Sequence, residues 1–243
     1  MKKEQFISIT NLMLTKQISL NVKTNGSKWS RGFAQNGKEI NWNLCIQMEA
    51  SEIIDSTPWK HWKDVNKGID IDNIHIELVD IWHFIMSKML EDGTSRAEIC
   101  DVVYRYHKEA LKNIINIEPY STNMIVKYCN KLIAEAIKEN KPLILHPQGT
   151  EYLLSFFEFC NHVGLSYQHL YDLFNAKQVL NQFRQDNGYQ SSHYKKMWNI
   201  NENIMEDNKV LFKILSDHND SKDKESIEAD VIYEKLEQYY DEQ

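Results

Sequence analysis

The chain reads as an all-α protein, and three observations carry that reading. Apolar residues recur at three- and four-residue intervals through most of the 243 positions, the spacing that gathers them on one face of a helix. Eight glycines and four prolines are too few turn formers for a many-stranded β-sandwich or a glycine-rich phosphate loop. Gly, Asn and Pro fall where the periodic segments stop, as helix punctuation does.

The elements follow in order. Phe6 to Leu20 predicts a first helix. Ser27 to Ile40 is broken by Gly26, Gly32 and the pair Asn36-Gly37, a tight-turn signal that closes a small hairpin. A second helix is predicted from Trp42 to Ile54; it stops at Ser56-Thr57-Pro58, because the residue before a proline is pushed out of the α region. After the aromatic knot of Trp59, His61 and Trp62 and the loop around Gly68, Asp72 is the expected cap of a long helix to Leu90, striped by Ile74, Leu78, Ile81 and Ile85. Helices over Ala97 to Ile115 and Pro119 to Glu139 come next, the latter ended by Asn140 and Pro142, then Glu151 to Val163 and Ser166 to Asn181. Asn187 to Asn208, rich in Gly, Asn, Ser and aromatics, reads as loop, and a charged linker, Asp217 to Glu225, leads to an amphipathic piece at Ile227 to Tyr240. With no internal repeat, the expected organisation is a single helical-bundle-like domain over 1–215, followed by linker and C-terminal helix over 216–243.

Composition limits the function. Hydrophobic residues at 42% and charged residues at 26% describe a soluble globular chain. A net charge of −7 supplies no positive field for a nucleic acid polymer or an anionic membrane. Cys45, Cys100, Cys129 and Cys160 are widely spaced with no Cys-x-x-Cys, which suits reduced, buried thiols in a cytoplasmic protein. Neither a signal peptide nor a run of ~18 apolar residues is present, so no membrane span is expected.

Two helices carry acidic pairs at one spacing, Glu49-x-x-Glu52 and Glu77-x-x-Asp80, and residues three apart share a helix face. Their flanks are mostly apolar, and an anion on the inner face of a helix costs several kcal/mol unless compensated. A divalent cation supplies that compensation, and four carboxylates without a thiolate form a hard oxygen cage suited to Mg²⁺ or Mn²⁺ rather than zinc. The competing reading is a solvated acidic face. A di-iron bundle requires two Glu-x-x-His motifs, and only Asp80-x-x-His83 approaches one.

From Lys177 to Lys196 the acidic chain concentrates Lys177, Arg184, Lys195 and Lys196 against the single acid Asp186. Lys177, Asn181 and Arg184 fall on one helical face, and Gly188 lets a backbone N–H approach an anion. A planar arginine fork with a lysine point charge suits a polyphosphate, although a solvated basic patch has the same composition. Gln17 and Asn21, one turn apart, carry amides of the kind that read a nucleobase edge, or are simply polar surface residues.

Together these stretches resemble the dimeric all-α dUTP pyrophosphatases of trypanosomatids, some bacteria and phages, a fold of the all-α NTP pyrophosphohydrolase type. The matching segments are Gln17 to Asn21 with Thr24-Asn25-Gly26 and Trp29; Glu49 to Ser56 running into Trp59-Lys60-His61-Trp62-Lys63; Ile76 to Phe84; and Asn181 to Tyr189 with Tyr194 to Trp198 and Glu206-Asp207-Asn208. The resemblance implies a homodimer that hydrolyses dUTP and dUDP to dUMP with two or three Mg²⁺ ions. It gives Glu49, Glu52, Glu77 and Asp80 to the metal, and Gln17 and Asn21 to uracil; within that set, Glu49 is the residue expected to orient the attacking water. Lys177, Arg184, Asn187, Gly188 and Tyr189 go to the phosphates. Trp29, Trp59, His83, Asn181, Lys196 and Asn208 join the substrate-binding set, with Phe84 a further aromatic candidate. Where the family usually reads Gly-Tyr-Lys-x-Gly, this chain reads Gly188-Tyr189-Gln190-Ser191-Ser192, with Gln190 in the lysine's place. Glu91 to Gln148, including His107 and His146, is expected to be scaffold. The alternatives are a related pyrophosphohydrolase of another or broad base specificity and, in a different class, a helical adaptor that needs no metal.

Overall fold

The computed structural model describes residues 1–63, 66, 68–113, 120–138, 147–200, 202–219 and 227–241, and within these not the side chains of 147–151 and 219. The expected helix ends at Ile115, Pro119 and Glu139, the stops at Asn140 and Pro142, His146 and residues 220–225 of the linker lie outside the described residues. By its internal contacts the chain forms two units, Met1–Leu170 and Tyr171–Gln243.

The first unit is helical throughout its regular elements: α1 Lys3–Asn25, a 3-10 turn Trp29–Arg31, α2 Trp42–Asp55, α3 Ile71–Glu91, α4 Arg96–Lys112, α5 Thr122–Ile137 and α6 Pro147–His162. α2 packs against α3 and α5, α1 against α3 and α4, and α6 against α4 and α5. α3 is deeply enclosed, every side chain from Ile74 to Val79 being buried. Its Trp82 stacks on Phe156 of α6, with ring centroids 5.3 Å apart and planes 15° apart. This enclosure is why the α3 acids are embedded in an apolar sequence. The Asn36-Gly37 turn forms as expected: Gly37 takes φ 81°, Phe33 bridges to Glu39, and Ala34 N–H donates to Lys38 O.

One cap differs from expectation. The side chain of Asp70, rather than Asp72, accepts from Asn73 N–H at 3.1 Å. The chain is already anchored there, since Asp70 N–H donates to Ser56 O at 2.9 Å, so the helix starts one residue after Asp70. Asp72 lies in the first turn, where an acid favours the helix dipole without capping it.

The second unit holds most of α7 (Tyr167–Asp186), a 3-10 turn Tyr189–Ser191, β1 Met197–Ile200, β2 Asn203–Glu206, α8 Asp207–Asn219 and α9 Ala229–Asp241. The expected loop over Asn187 to Asn208 is therefore corrected to a turn, an antiparallel hairpin and the start of a helix. Met197 pairs with Glu206 and Ile200 with Asn203. Trp198 and Ile200 face inward and Met197 and Asn199 outward, the period-two pattern of a half-buried strand. Against Trp198 pack Phe183, Tyr194 and Tyr240, the core of this unit.

Candidate active site

The carboxylates of Glu49 and Glu52 on α2 and Glu77 on α3 each offer an oxygen within 4.8 Å of the others. Glu52 is exposed, Glu49 half-buried and Glu77 only 4% exposed. Asn73 Nδ2 donates to Glu77 Oε1 (3.2 Å) and to Ser56 Oγ (2.8 Å), linking the acid to the end of α2. Asp80, on the turn after Glu77, is half-buried and lies outside the convergent three. Like charges about 4 Å apart repel by ~4 kcal/mol at an effective dielectric of 20, so three converging anions favour a cation. The donor set fits a hard divalent ion. Burial, reinforced by the Glu49 charge, pushes the neighbouring Cys45 thiol up to about 11, so it remains a protonated thiol at neutral pH and adds no soft ligand.

A second arrangement in the same unit joins α1 to α3. Gln17 and Asn21 are buried, at 2% and 3% exposure, rather than on the surface. Gln17 Nε2 donates to Asn21 Oδ1 (3.1 Å) and Ser87 Oγ (2.9 Å), and Asn21 Nδ2 donates to Ser87 Oγ (2.9 Å). Ser87 spends its proton on His83 O at 2.8 Å, leaving its lone pairs to receive both amides. His83 Nδ1 bonds Gln17 Oε1 at 2.5 Å, so the Gln17 amide is held at both ends. Trp29 is buried in the 3-10 turn, whereas Trp59 is exposed, donating to Asp55 Oδ1 with Lys60 over its ring. Phe84 packs against Trp42.

The basic cluster belongs to the second unit. Lys177 is 1% exposed, with Nζ 2.8 Å from Asn208 Oδ1. Arg184 grips Asp207 with its fork, Nε to Oδ2 at 2.8 Å and Nη2 to Oδ1 at 2.7 Å, and also reaches Asn208 and Asn181. Tyr194 donates to Asp207 Oδ2 at 2.8 Å. Burial alone would raise the Asp207 carboxyl; the Arg184 hydrogen bonds and charge, with Tyr194 and Lys177, outweigh it and hold it below the usual range. Lys177 and Arg184 are thus two buried cations beside one buried carboxylate. Gly188 takes φ 82° and opens the turn carrying Tyr189, whose ring lies 6.0 Å from the Arg184 guanidinium and 5.9 Å from Lys196 Nζ. Asn187 Nδ2 donates to Phe183 O.

Sequence reasoning missed Asn73 and Ser87, and gave no role to Asp207 or Tyr194. Ser87 carried one usable signal, since a serine four residues after His83 in a buried helix bonds back to its carbonyl. A family model described as dUTPase matches residues 9–189. No curated protein matches the chain.

Proposed function

The chain belongs to the all-α dUTPase family and hydrolyses dUTP, and from that premise we propose a Mg²⁺-dependent reaction taking both dUTP and dUDP to dUMP, with release of pyrophosphate or phosphate. The supporting observation is the convergence of Glu49, Glu52 and Glu77 from two helices within 4.8 Å. These three, with Asp80, are the proposed holders of two or three Mg²⁺ ions, Mn²⁺ being the alternative. Bound there, the metal supplies neutralisation of charge on the phosphoryl oxygens and makes water more acidic. Glu49, less enclosed than Glu77, orients the attacking water and accepts its proton through a carboxylate oxygen.

Lys177 and Arg184 hold the outer phosphates, with Asn181, Asn187, Gly188, Tyr189, Lys196 and Asn208 completing the substrate contacts. A third phosphate then contributes binding rather than chemistry, which is why dUDP is expected to be a substrate. Uracil presents an N–H donor at N3 and an acceptor at O4, and cytosine reverses both. Gln17 and Asn21, supported by His83, read that pattern. An amide fixed by Ser87 and His83 cannot flip to suit cytosine, and sites built this way discriminate by factors of order 10⁴. Trp29, Trp59 or Phe84 supports the base or sugar.

Among the described residues no helix is long and apolar enough to cross a membrane. Four free thiols support a reducing, cytoplasmic setting. Exposed Leu44 and Met48, one turn apart on α2, support a homodimer. The test is a panel of dUTP, dUDP, dCTP, dTTP and UTP, assayed for phosphate and pyrophosphate release with Mg²⁺ and with chelator. Comparable turnover of dCTP, inert dUDP, or full activity in chelator would overturn the corresponding part of the proposal.

A further inference from the structure

The family match ends at residue 189, yet the carboxylate that takes the Arg184 fork comes from beyond it. Asp207 takes the fork, and Tyr194 takes Asp207. Tyr194 is itself held by the C-terminal helix: its ring stacks on Tyr240 of α9, with centroids 5.3 Å apart and planes 15° apart. Tyr240 also meets Phe183 edge-on at 5.5 Å and Trp198 at 5.3 Å, and its hydroxyl accepts from Lys195 N–H at 3.4 Å. Seven residues earlier on α9, Tyr233 packs on Phe183 and donates to Asp186 Oδ2 at 3.2 Å, the same oxygen that receives Gln182 Nε2. Tyr233 and Tyr240, two turns apart, share one face of the helix. α9 is thus fastened at two points: the end of α7, two residues past Arg184, and the Tyr194 ring. Ile232 and Leu236 are buried, so α9 is packed rather than tethered.

We infer that α9 is a positioning element for the phosphate-binding arginine. Tyr240 fixes Tyr194, the Tyr194 hydroxyl fixes Asp207, and the two Asp207 oxygens fix the plane of the Arg184 guanidinium. The inference rests on the proposed phosphate role of Arg184 and deepens it. An ionised carboxylate only accepts, so Tyr194 must be the donor, and Asp207 Oδ2 receives it together with Arg184 Nε. With the hydroxyl gone, Asp207 keeps only Arg184 among these donors, and carboxylate and guanidinium turn together instead of standing fixed. Tyr240 and Tyr194 touch no substrate in this scheme; they act through Asp207.

A merely structural α9 would change the folded fraction, and with it the maximal rate, while leaving KM alone. A positioning role predicts the opposite split. The full chain is assayed with dUTP at saturating Mg²⁺ as Tyr194→Phe, which keeps the ring and removes the hydroxyl; Tyr240→Ala, which removes the stack; and Tyr240→Phe, which keeps it. Tyr194→Phe and Tyr240→Ala should raise KM about three- to tenfold, the range of one lost hydrogen bond, with kcat nearly unchanged. Tyr240→Phe should restore the KM. In an Arg184→Lys background neither should raise KM further, because residues acting through one another are not additive. If Arg184→Lys raises KM but Tyr194→Phe does not, or if the effects add, the inference fails while the phosphate reading stands. If Arg184→Lys itself leaves KM unchanged, the phosphate reading fails. Should Tyr240→Ala not fold, Tyr194→Phe, which preserves the core volume, decides the matter alone.

Discussion

Asp207→Asn is the most demanding perturbation the second unit offers. The carboxylate has no exposed surface and receives three donors: Arg184 Nε at 2.8 Å, Arg184 Nη2 at 2.7 Å and Tyr194 at 2.8 Å. An asparagine there keeps one accepting oxygen and turns an N–H₂ toward a group that only donates. Hydrogen bonds to charged groups are worth about 1.5–3 kcal/mol, and removing one partner of a buried pair costs about 3–5 kcal/mol, because the other charge stays behind. Here the Arg184 fork would lose the carboxylate it grips, and Lys177 a nearby anion. We expect a loss of about 4 kcal/mol at pH 7, which for a chain of this length lowers the melting temperature by roughly 10 °C. The pH dependence has a definite sign. Burial raises the Asp207 carboxyl but Arg184 outweighs it, so the folded value lies below the ordinary ~3.9. Its contribution is complete above pH ~4 and disappears as pH falls through the folded value, so wild type and variant should converge in acid. Urea unfolding followed by tryptophan fluorescence, with Trp198 reporting from the same unit, measures both. A gap under about 1 kcal/mol at pH 7, or one that does not narrow below pH 4, would refute the charge argument.

Other outcomes follow from single observations. Glu77→Gln keeps shape and removes an anion from the carboxylate trio, so activity should fall at least about 100-fold while circular dichroism stays helical; near-normal turnover would remove the metal site. Ser192 sits at φ 59°, where a side chain costs roughly 1 kcal/mol, so Ser192→Gly should stabilise the chain by about 0.5–1 kcal/mol in denaturant unfolding, and a loss would be contrary. His107, enclosed by Phe6, Phe157 and Tyr167, has its pKa lowered to about 4, chiefly by burial. Protonation favours the unfolded chain, so stability is complete above pH ~6.5 and declines toward pH 4. Roughly 2 kcal/mol is expected after allowing for partial exposure, and it should be absent in His107→Phe. Parallel pH profiles for the two proteins would contradict it.

The helices were legible because their apolar spacing is long and regular. α2 was expected from Trp42 to Ile54 and runs Trp42–Asp55. α1 continues to Asn25 because its last turn is polar and carries no stripe to read, and only Gly26 at φ 81° ends it. The hairpin was invisible for a related reason: the sequence between its strands holds no glycine of the kind that usually announces such a turn, and Glu202 takes φ 68°. In the candidate site, residues whose type suggests chemistry stand out in the sequence, and those that hold them do not. Glu77 and Gln17 could be picked from the sequence, but Asn73 and Ser87 are ordinary polar residues until the fold sets them 3.2 Å from Glu77 and 2.9 Å from Gln17. The sequence suggests a phosphate partner for the Arg184 fork and does not show that Asp207, 23 positions later, bonds it.

Glu77, Asp80, His83 and Ser87 lie along one stripe of α3, and at ~1.5 Å per residue Glu77 and Ser87 stand about 15 Å apart along the axis. In the proposed reading α3 is a ruler, with carboxylates at one graduation and base readers at the other. Because its middle is wedged by Trp82 against Phe156 and Phe157, the scale does not slide. A single residue inserted between Val79 and Trp82 would turn the far marks by ~100°, so base reading and phosphorus alignment would be lost together. In that reading the span from the base to the metal-held phosphate is carried by one helix.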